Sequence, residues 1–257
     1  MLNYKTSSLG LVGVLIVMAS IGIVHDIPLP FFLVPVFIYI GLLVWGSSQI
    51  YSGYFMEVYC HGDESIPEVA ITFDDGPDPE FTPSILDILK QHQTTATFFC
   101  IGEKINENPE ILKRISAEGH LVGNHSFSHH VFFDFFTQNN MVREIRTTNR
   151  AVEKLIQKRM FFFRPPYGVT TPVLNKAVKL SKVIPVGWSL RTLDTISRDP
   201  DKLIKKVKDN LREGDIILLH DTGRVTAEAL PGIIHNIREK GFKIVRVDEL
   251  LKLHAYT

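Results

Sequence analysis

Two adjacent carboxylates, Asp74 and Asp75, follow a short apolar run and precede a Gly-Pro breaker. The apolar run, residues 69–73, predicts a buried strand that ends at the breaker. In parallel α/β folds, active sites lie at the C-terminal ends of such strands. Consecutive side chains of a strand point to opposite faces, so the two carboxylates could have different roles. One would bind a metal ion, and the other would handle a proton. A solvated Asp-Asp turn is the alternative.

Two histidines four residues apart, His125 and His129, come later in the chain. On a helical turn this spacing places both imidazoles on one side, within reach of a single ion. Imidazole nitrogens and a carboxylate oxygen suit Zn²⁺ and other borderline divalent metals, and three protein ligands leave a position open for water. Because histidines also cap helices and bond within cores, the pair indicates a metal site only together with the carboxylates.

Three further apolar runs each lead to a polar residue at or beyond their C-terminal end. They are an aromatic run before Arg164, a Trp-containing run before Asp194, and an aliphatic run before His220. One such strand is usually core followed by a surface residue. Several in succession predict polar groups gathered at one edge of a parallel sheet.

These motifs, in this order, make the chain resemble the polysaccharide deacetylases, which are carbohydrate esterase family 4 or the NodB homology domain. The resemblance covers roughly residues 68–251. It implies an α/β fold, a distorted (β/α) barrel of about seven strands, and a hydrolase of N-acetyl amides. The motifs that carry it are Thr72–Pro77, His125–His129, Arg164–Tyr167, Asp194 and Leu218–His220.

The resemblance implies a metal centre beside a general base. Asp75, His125 and His129 would hold one divalent ion, with Zn²⁺ expected and Co²⁺ or Ni²⁺ as alternatives. Such an ion lowers the pKa of water and polarises a carbonyl. Asp74 would take a proton from the attacking water, and Arg164 would pair with Asp74 and keep it ionised.

The resemblance also assigns groups to the oxyanion and the leaving amine. The backbone N–H of Tyr167 would stabilise the tetrahedral oxyanion. His220 would protonate the amine, while Asp194 holds its tautomer and raises its basicity. Leu218 would wall the pocket for the acetyl methyl group.

The chain departs from the family pattern after Trp188. The family commonly has Asp-x-x-Asp-Trp there, whereas this chain has Arg191 in place of the first acid and Thr195 in place of the Trp. Asp194 is kept, so activity is still expected, but an aromatic wall of the sugar groove is lost. Trp188 and Arg191 are assigned to the substrate site. Arg191 either binds an anionic group such as a phosphate or a carboxylated sugar, or forms a surface salt bridge.

The N-terminal part contains two uncharged apolar runs, residues 9–24 and 31–45, separated by a proline-containing break. Each approaches the length of about 20 residues that a membrane-spanning helix needs when extended slightly. The sequence therefore predicts a transmembrane hairpin in residues 1–50, a connector in 51–67 and the deacetylase domain in 68–257. A signal peptide is the competing interpretation of the first run, and the second run argues for retention in the membrane.

Charge bears on partners and location. The formal net charge is +0, which indicates no nucleic-acid partner. Lys5 is the only Lys or Arg before Lys90. The positive-inside rule therefore has almost no basic residues from which to assign the membrane orientation. We expect a multi-pass protein of the cell membrane that contacts lipid through its hairpin, with the catalytic domain outside the cytoplasm.

Together these features predict a membrane-anchored, metal-dependent deacetylase that hydrolyses the N-acetyl amide of an amino sugar in a polysaccharide or glycan. One alternative is a deacetylase or deformylase of a lipid-linked sugar, which would suit both the hairpin and Arg191. O-deacetylation is another. A different class is a catalytically silent carbohydrate-binding module.

Overall fold

A curled parallel sheet lies at the centre of the computed structural model, which describes residues 2–256. Its pairings are all parallel and confirm the predicted distorted (β/α) barrel. The strands are β1 (Glu68–Asp74), β2 (Thr97–Cys100), β3 (Leu121–Asn124), β4 (Phe162–Phe163), β5 (Ile184–Pro185), β6 (Leu190–Arg191), β7 (Ile216–His220) and β8 (Lys243–Ile244). Their order in the sheet is β5-β4-β3-β2-β1-β7-β6, and β8 pairs with the start of β1.

Helices connect the strands and cover the sheet. Parallel strands need such crossovers, since a tight turn cannot join them. The helices of the barrel are α3 (Phe81–Gln91), α4 (Gly102–Glu107), α5 (Pro109–Ala117), α6 (Gln138–Ile156), α7 (Pro172–Ser181), α8 (Pro200–Asn210), α9 (Arg224–Glu239) and α10 (Val247–Leu251), and the two before it are α1 (Tyr4–Gly22) and α2 (Leu29–Ser48).

Strand β1 lies in the middle of the sheet and is apolar on both faces. Val69, Ile71 and Phe73 are completely buried in one cluster, and Ala70 is buried in another on the opposite face. A strand covered on both faces has a continuous apolar run instead of an alternating one. In register, Asp74 pairs with Phe99 on β2 and with His220 on β7, so the C-terminal ends of the central strands share one edge.

Several helices and strands have boundaries that depend on tertiary contacts. Thr82 does not cap α3, because its hydroxyl is taken by the buried Asp221 carboxylate, and the helix begins at Phe81. Helix α9 begins at Arg224, well before Pro231, which lies inside it. The last strand, β8, is only two residues long, and Val247 already starts α10. The Trp-containing run is divided between β5 and β6.

The two apolar N-terminal runs form α1 and α2, which pack against each other. By length and composition both are able to cross a membrane. The start of α1 and the end of α2 meet the barrel together: the Ser7 hydroxyl contacts the Tyr54 hydroxyl at 2.5 Å. The Tyr54 ring lies where a side chain of residue 46 on α2 would be, so Gly46 permits this close packing.

The connector between the hairpin and the barrel, residues 51–67, packs against the barrel. Tyr59 bridges to Val186 and His61 bridges to Asp215. Met56 is buried in a cluster with Phe133. The predicted domain boundary at residue 68 stays a prediction, but residues 51–67 contribute side chains to the barrel.

Candidate active site

Asp74 and Asp75 are turned apart by the backbone at the end of β1. Asp75 has a φ of 74°, in the left-handed region that a non-glycine residue rarely adopts. Aspartate tolerates this conformation better than most residues. The twist lets both carboxylates face the same cleft, at the C-terminal edge of the sheet, while each has its own partners.

The two histidines meet Asp75 from a loop. The prediction of a helical turn is wrong, since residues 125–130 after β3 are irregular, with positive φ at Ser126 and His129. The Nε2 atoms of His125 and His129 both lie 3.4 Å from Asp75 Oδ1. The His125 ring bonds through Nδ1 to the Arg164 carbonyl at 2.9 Å, which leaves its Nε2 directed at the carboxylate.

The chemistry of this cluster fits a divalent cation. Asp75 Oδ1 is buried and has no hydrogen-bond partner, although one ligand atom of each of the three residues lies within 4.8 Å of the others. Burial would lower the pKa of His125, but the charges of Asp74 and Asp75 outweigh it and raise that pKa. Burial and the charge of His125 lower the pKa of His129 to about 4. One carboxylate oxygen and two imidazole nitrogens form a donor set that Zn²⁺ accepts.

Asp74 is held by a buried arginine. Arg164 donates from Nη1 to Asp74 Oδ1 at 2.6 Å and to the Thr72 hydroxyl at 2.8 Å. Arg164 is fully buried, and its guanidinium lies 4.0 Å from the centroid of the Phe99 ring. Breaking such a buried pair leaves an uncompensated charge, so the pair fixes the position of the Asp74 carboxylate.

His220 and Asp194 form a second charged pair across the cleft. His220 Nδ1 lies 2.8 Å from Asp194 Oδ1, and Asp194 Oδ2 accepts from the His220 backbone N–H at 2.7 Å. Burial would lower the pKa of His220, but the hydrogen bond and charge of Asp194 raise it to about 9. The remaining nitrogen, Nε2, faces the metal cluster at 3.9 Å from Asp75 Oδ2. His220 therefore carries a proton at neutral pH and presents it to the cleft.

The two carboxylates of β1, the two histidines of the loop after β3 and His220 line one cleft of about 220 Å³. Tyr167, Trp188, Leu218 and Arg191 line it as well, so the structure brings the substrate residues together with the metal and proton groups. Arg164 and Asp194 do not line the cleft, but they contact Asp74 and His220, which do. Gly168, with a φ of 69°, leaves the space that the Trp188 ring occupies.

Arg191 lies on the rim of the cleft without a carboxylate. Its guanidinium is 5.9 Å from the Trp188 ring, and it makes no ion pair within residues 2–256. The surface salt bridge considered from the sequence is therefore not formed among the described residues. The cleft keeps an uncompensated cation at its mouth.

Sequence reasoning missed the residues that position the site. Glu144 on α6 accepts hydrogen bonds from the backbone N–H groups of Phe127 and Ser128, which fixes the histidine loop. Thr226 on α9 donates to Asp194 Oδ2 at 2.7 Å. Both are single polar residues on amphipathic helices. The one available signal was that each would fall on the apolar, inward face of its helix.

Comparisons with known proteins identify the family of this chain. The family model described as polysaccharide deacetylase matches residues 61–183. A peptidoglycan-N-acetylglucosamine deacetylase of Bacillus cereus is 35% identical over 189 residues, which cover 72% of this chain and 88% of the relative. The chain belongs to the polysaccharide deacetylase family, whose members hydrolyse N-acetyl amides of carbohydrates.

Solved structures show the same fold. The crystal structure of the Bc1960 peptidoglycan N-acetylglucosamine deacetylase has a TM-score of 0.74 and 35% identity, and covers 78% of this chain and 95% of its own. A pseudoenzyme of carbohydrate esterase family 4 from Bacillus anthracis has a TM-score of 0.70 and 30% identity, with 74% of this chain and 67% of its own covered. The fold is thus shared by active and inactive relatives, and the side chains of the cleft decide which kind this chain is.

Proposed function

We propose that this chain is a membrane-anchored, metal-dependent deacetylase that removes the acetyl group from the nitrogen of an amino sugar in a glycan. The observation that carries the proposal is the unpartnered Asp75 Oδ1, 3.4 Å from two imidazole nitrogens and next to a separately held Asp74. Relatives named as peptidoglycan deacetylases support a peptidoglycan-like substrate. A silent binding module would not need a complete set of metal, base and acid groups.

The metal would be held by Asp75, His125 and His129. When bound there, a divalent cation would supply Lewis acidity, which makes water more acidic and the acetyl carbonyl more electrophilic. Zn²⁺ fits the nitrogen and oxygen donors best, and Co²⁺ or Ni²⁺ accept the same donors. The Arg164 carbonyl orients His125, and Ser126 accepts from the His129 backbone N–H at 3.1 Å.

Asp74 would act as the general base. Arg164 occupies Oδ1, so Oδ2 is the oxygen that remains directed at the site, 3.8 Å from His125 Nε2. From there it would accept a proton as water attacks the acetyl carbon. The pairing with Arg164 keeps the carboxylate charged and in place, and a positioned base contributes about 10²–10⁴-fold to a rate.

His220 would act as the general acid. The sugar nitrogen leaves the acetyl carbon only after it gains a proton, and His220 Nε2 is the protonated group that faces the cleft. Water then supplies the hydroxyl that remains on acetate, and the amine departs with the proton from His220. Tyr167 is proposed to stabilise the oxyanion through its backbone N–H, and Leu218 to pack against the acetyl methyl group.

The hairpin is proposed to hold the enzyme in the cell membrane, with the catalytic domain outside the cytoplasm. Both helices expose apolar side chains along their length, which suits a lipid environment. Because α1 and α2 run antiparallel, the N-terminus and the barrel lie on the same side of the membrane.

Acetate release tests the proposed activity. Full-length protein in detergent, loaded with Zn²⁺ or Co²⁺, should release acetate from N-acetylglucosamine oligomers or peptidoglycan. A chelator should stop the release, and adding the metal back should restore it. Retention of sugar without any acetate release in the presence of metal would instead show a binding module.

A further inference from the structure

The exposed apolar side chains of the barrel are concentrated around the mouth of the cleft. Within residues 68–256, all exposed large hydrophobic residues except Leu180 follow the C-terminal ends of β3, β4 or β6. We call these residues the apolar rim. They are Val131, Phe132, Phe135, Tyr167, Val173, Leu193 and Ile196.

The two most exposed members of the apolar rim lie on different loops. Phe135 is 85% exposed on the loop after β3, and Ile196 is 74% exposed on the loop after β6. Scattered exposed hydrophobic residues need no explanation, but a ring of them at one edge indicates an interaction surface. Arg191, the last residue of β6, and Arg198, on the loop that follows, make no ion pair with a described residue. Apolar side chains mixed with free cations are typical of surfaces that contact anionic membranes.

The hairpin joins the barrel at this same edge. Thr170, three residues after Tyr167, donates its backbone N–H to the Ser47 carbonyl at 3.1 Å. The Ser47 hydroxyl donates back to the Thr170 carbonyl at 2.9 Å, and the Thr170 hydroxyl donates to the Gly46 carbonyl at 3.2 Å. These bonds tie the C-terminal end of α2 to the loop that carries Tyr167. A membrane that holds the hairpin is therefore next to the mouth of the cleft.

The loop after β3 is attached to the base of the hairpin as well. Phe133, buried between the exposed Phe132 and Phe135, packs in one cluster with Met56 of the connector. The one acid in this turn, Asp134, has its pKa raised to about 6 by burial, so its transfer next to a membrane costs less than for an ordinary aspartate. Both the loop after β3 and the loop after β4 are thus attached to the segment at the base of the hairpin.

We propose that the apolar rim contacts the membrane surface around the hairpin, and that the substrate is an N-acetylated amino sugar joined through a phosphate to a membrane lipid. This substrate class rests on the deacetylase function proposed above. The sugar would enter the cleft while the lipid stays in the bilayer, and Arg191 at the mouth would bind the phosphate. A neutral soluble glycan would engage neither the apolar rim nor Arg191.

The test compares three substrates that carry the same N-acetylglucosamine: a polyprenyl phosphate in the bilayer, a short-chain alkyl phosphate in solution, and a methyl glycoside. Full-length protein would be assayed in nanodiscs of phosphatidylethanolamine and phosphatidylglycerol. We expect kcat/KM to be about tenfold or more higher for the polyprenyl phosphate than for the methyl glycoside. The short-chain phosphate should fall between them, and Arg191→Leu should abolish its advantage over the glycoside.

A matched pair of variants separates the rim from general stability. The double variant Phe135→Ser with Ile196→Ser should lower kcat/KM for the polyprenyl substrate by about fivefold and leave the two soluble substrates unchanged. Leu180→Ser, at the C-terminal end of α7 and away from the mouth, should change none of them. Equal rates on polyprenyl and soluble substrates, or an equal loss on all three in the rim variant, would overturn the proposal.

A second measurement tests whether the apolar rim contacts the membrane, independently of catalysis. A polarity-sensitive fluorophore on Phe135→Cys should report an apolar environment in nanodiscs, whereas the same label on Leu180→Cys should report water. The native cysteines, Cys60 and Cys100, are buried and leave the label site-specific. Absence of acetate release from every substrate would defeat the proposed function alone, while a water-exposed label at residue 135 would defeat the membrane contact.

Discussion

The two edges of the central sheet both carry buried polar groups, but they differ in how these groups are satisfied. At the N-terminal edge, a cleft of about 460 Å³ is lined by His61 and Asp215 among others. Asp215 accepts from the Ser189 hydroxyl at 2.6 Å and from the Arg212 backbone N–H at 2.7 Å. At the C-terminal edge, the smaller cleft leaves Asp75 Oδ1 buried without any hydrogen bond.

The difference shows that cleft size is a poor guide to function in this fold. At the N-terminal edge both oxygens of Asp215 accept hydrogen bonds, so this carboxylate stabilises the structure. At the C-terminal edge backbone strain at Asp75 and an unpartnered oxygen are tolerated together. Strain and unsatisfied charge persist where a ligand compensates for them, which is what a metal centre provides.

The largest effect on activity is expected at the metal ligands. His129→Gln removes one of three donors from a partly exposed loop and should lower both metal affinity and turnover by about 10³-fold or more. Metal content after dialysis and acetate release measure the two effects. A variant that retains one tightly bound ion per chain would remove His129 from the ligand set.

Asp74→Asn should remove the proposed general base without affecting metal binding. The amide cannot accept the proton, so kcat should fall by about 10²–10⁴-fold. Metal content should stay at the wild-type level, because Asp75 and the histidines are unchanged. Unaltered turnover in the metal-loaded variant would exclude Asp74 as the base.

Asp194→Asn should have a smaller effect, since this residue acts through His220. Without the carboxylate, His220 loses its strongest stabilising partner, and a fall in kcat of about 10- to 100-fold is expected. KM and metal content should change little, which distinguishes loss of the acid from loss of substrate or metal. A rate equal to wild type would show that His220 needs no partner.

The C-terminal edge should also make stability depend on pH. Asp221 is fully buried with one oxygen unpartnered, and burial raises its pKa from 3.8 to about 7. The folded state therefore binds this proton more tightly than the unfolded state, so the free energy of unfolding should fall as pH rises through the interval from 3.8 to about 7. Denaturant unfolding at several pH values should show this decline, and Asp221→Asn should lessen it. If the free energy of unfolding of the Asp221→Asn variant declines as much as that of wild type, other groups cause the decline.

Asp215→Asn at the N-terminal edge should affect stability and leave activity unchanged. Its carboxylate makes two hydrogen bonds that an amide replaces only in part, so a loss of about 1–3 kcal/mol is expected. The kcat of the metal-loaded variant should equal that of wild type. A lower kcat at full metal occupancy would mean that this edge also takes part in catalysis.

The sequence predicted which residues meet, but not how the backbone brings them together. Polar residues after apolar runs pointed to Asp75 and His220 correctly, because parallel strands end at a common edge. The histidine loop was mistaken for a helical turn, since positive φ at Ser126 and His129 leaves no glycine signal. Glu144 belongs to no recognisable motif, because it accepts hydrogen bonds from backbone N–H groups of a loop about 16 residues away in sequence.

The start of helix α3 and the attachment of the hairpin depend on tertiary contacts. Thr82 has the composition of a helix cap, yet its hydroxyl bonds to Asp221 from the far end of the chain. The attachment of the hairpin at Thr170 involves backbone groups of Gly46 and Ser47, which no side-chain pattern encodes. Local sequence located the central strands and the polar residues that follow them, but it did not encode the contacts between distant segments.

The metal content of purified full-length protein tests the central claim most directly. After incubation with Zn²⁺ and removal of excess metal, the folded wild-type chain should hold one ion, and Asp75→Ala should hold none while keeping its fold by circular dichroism. A folded wild-type protein that retains no divalent ion under these conditions would contradict the assignment of Asp75, His125 and His129.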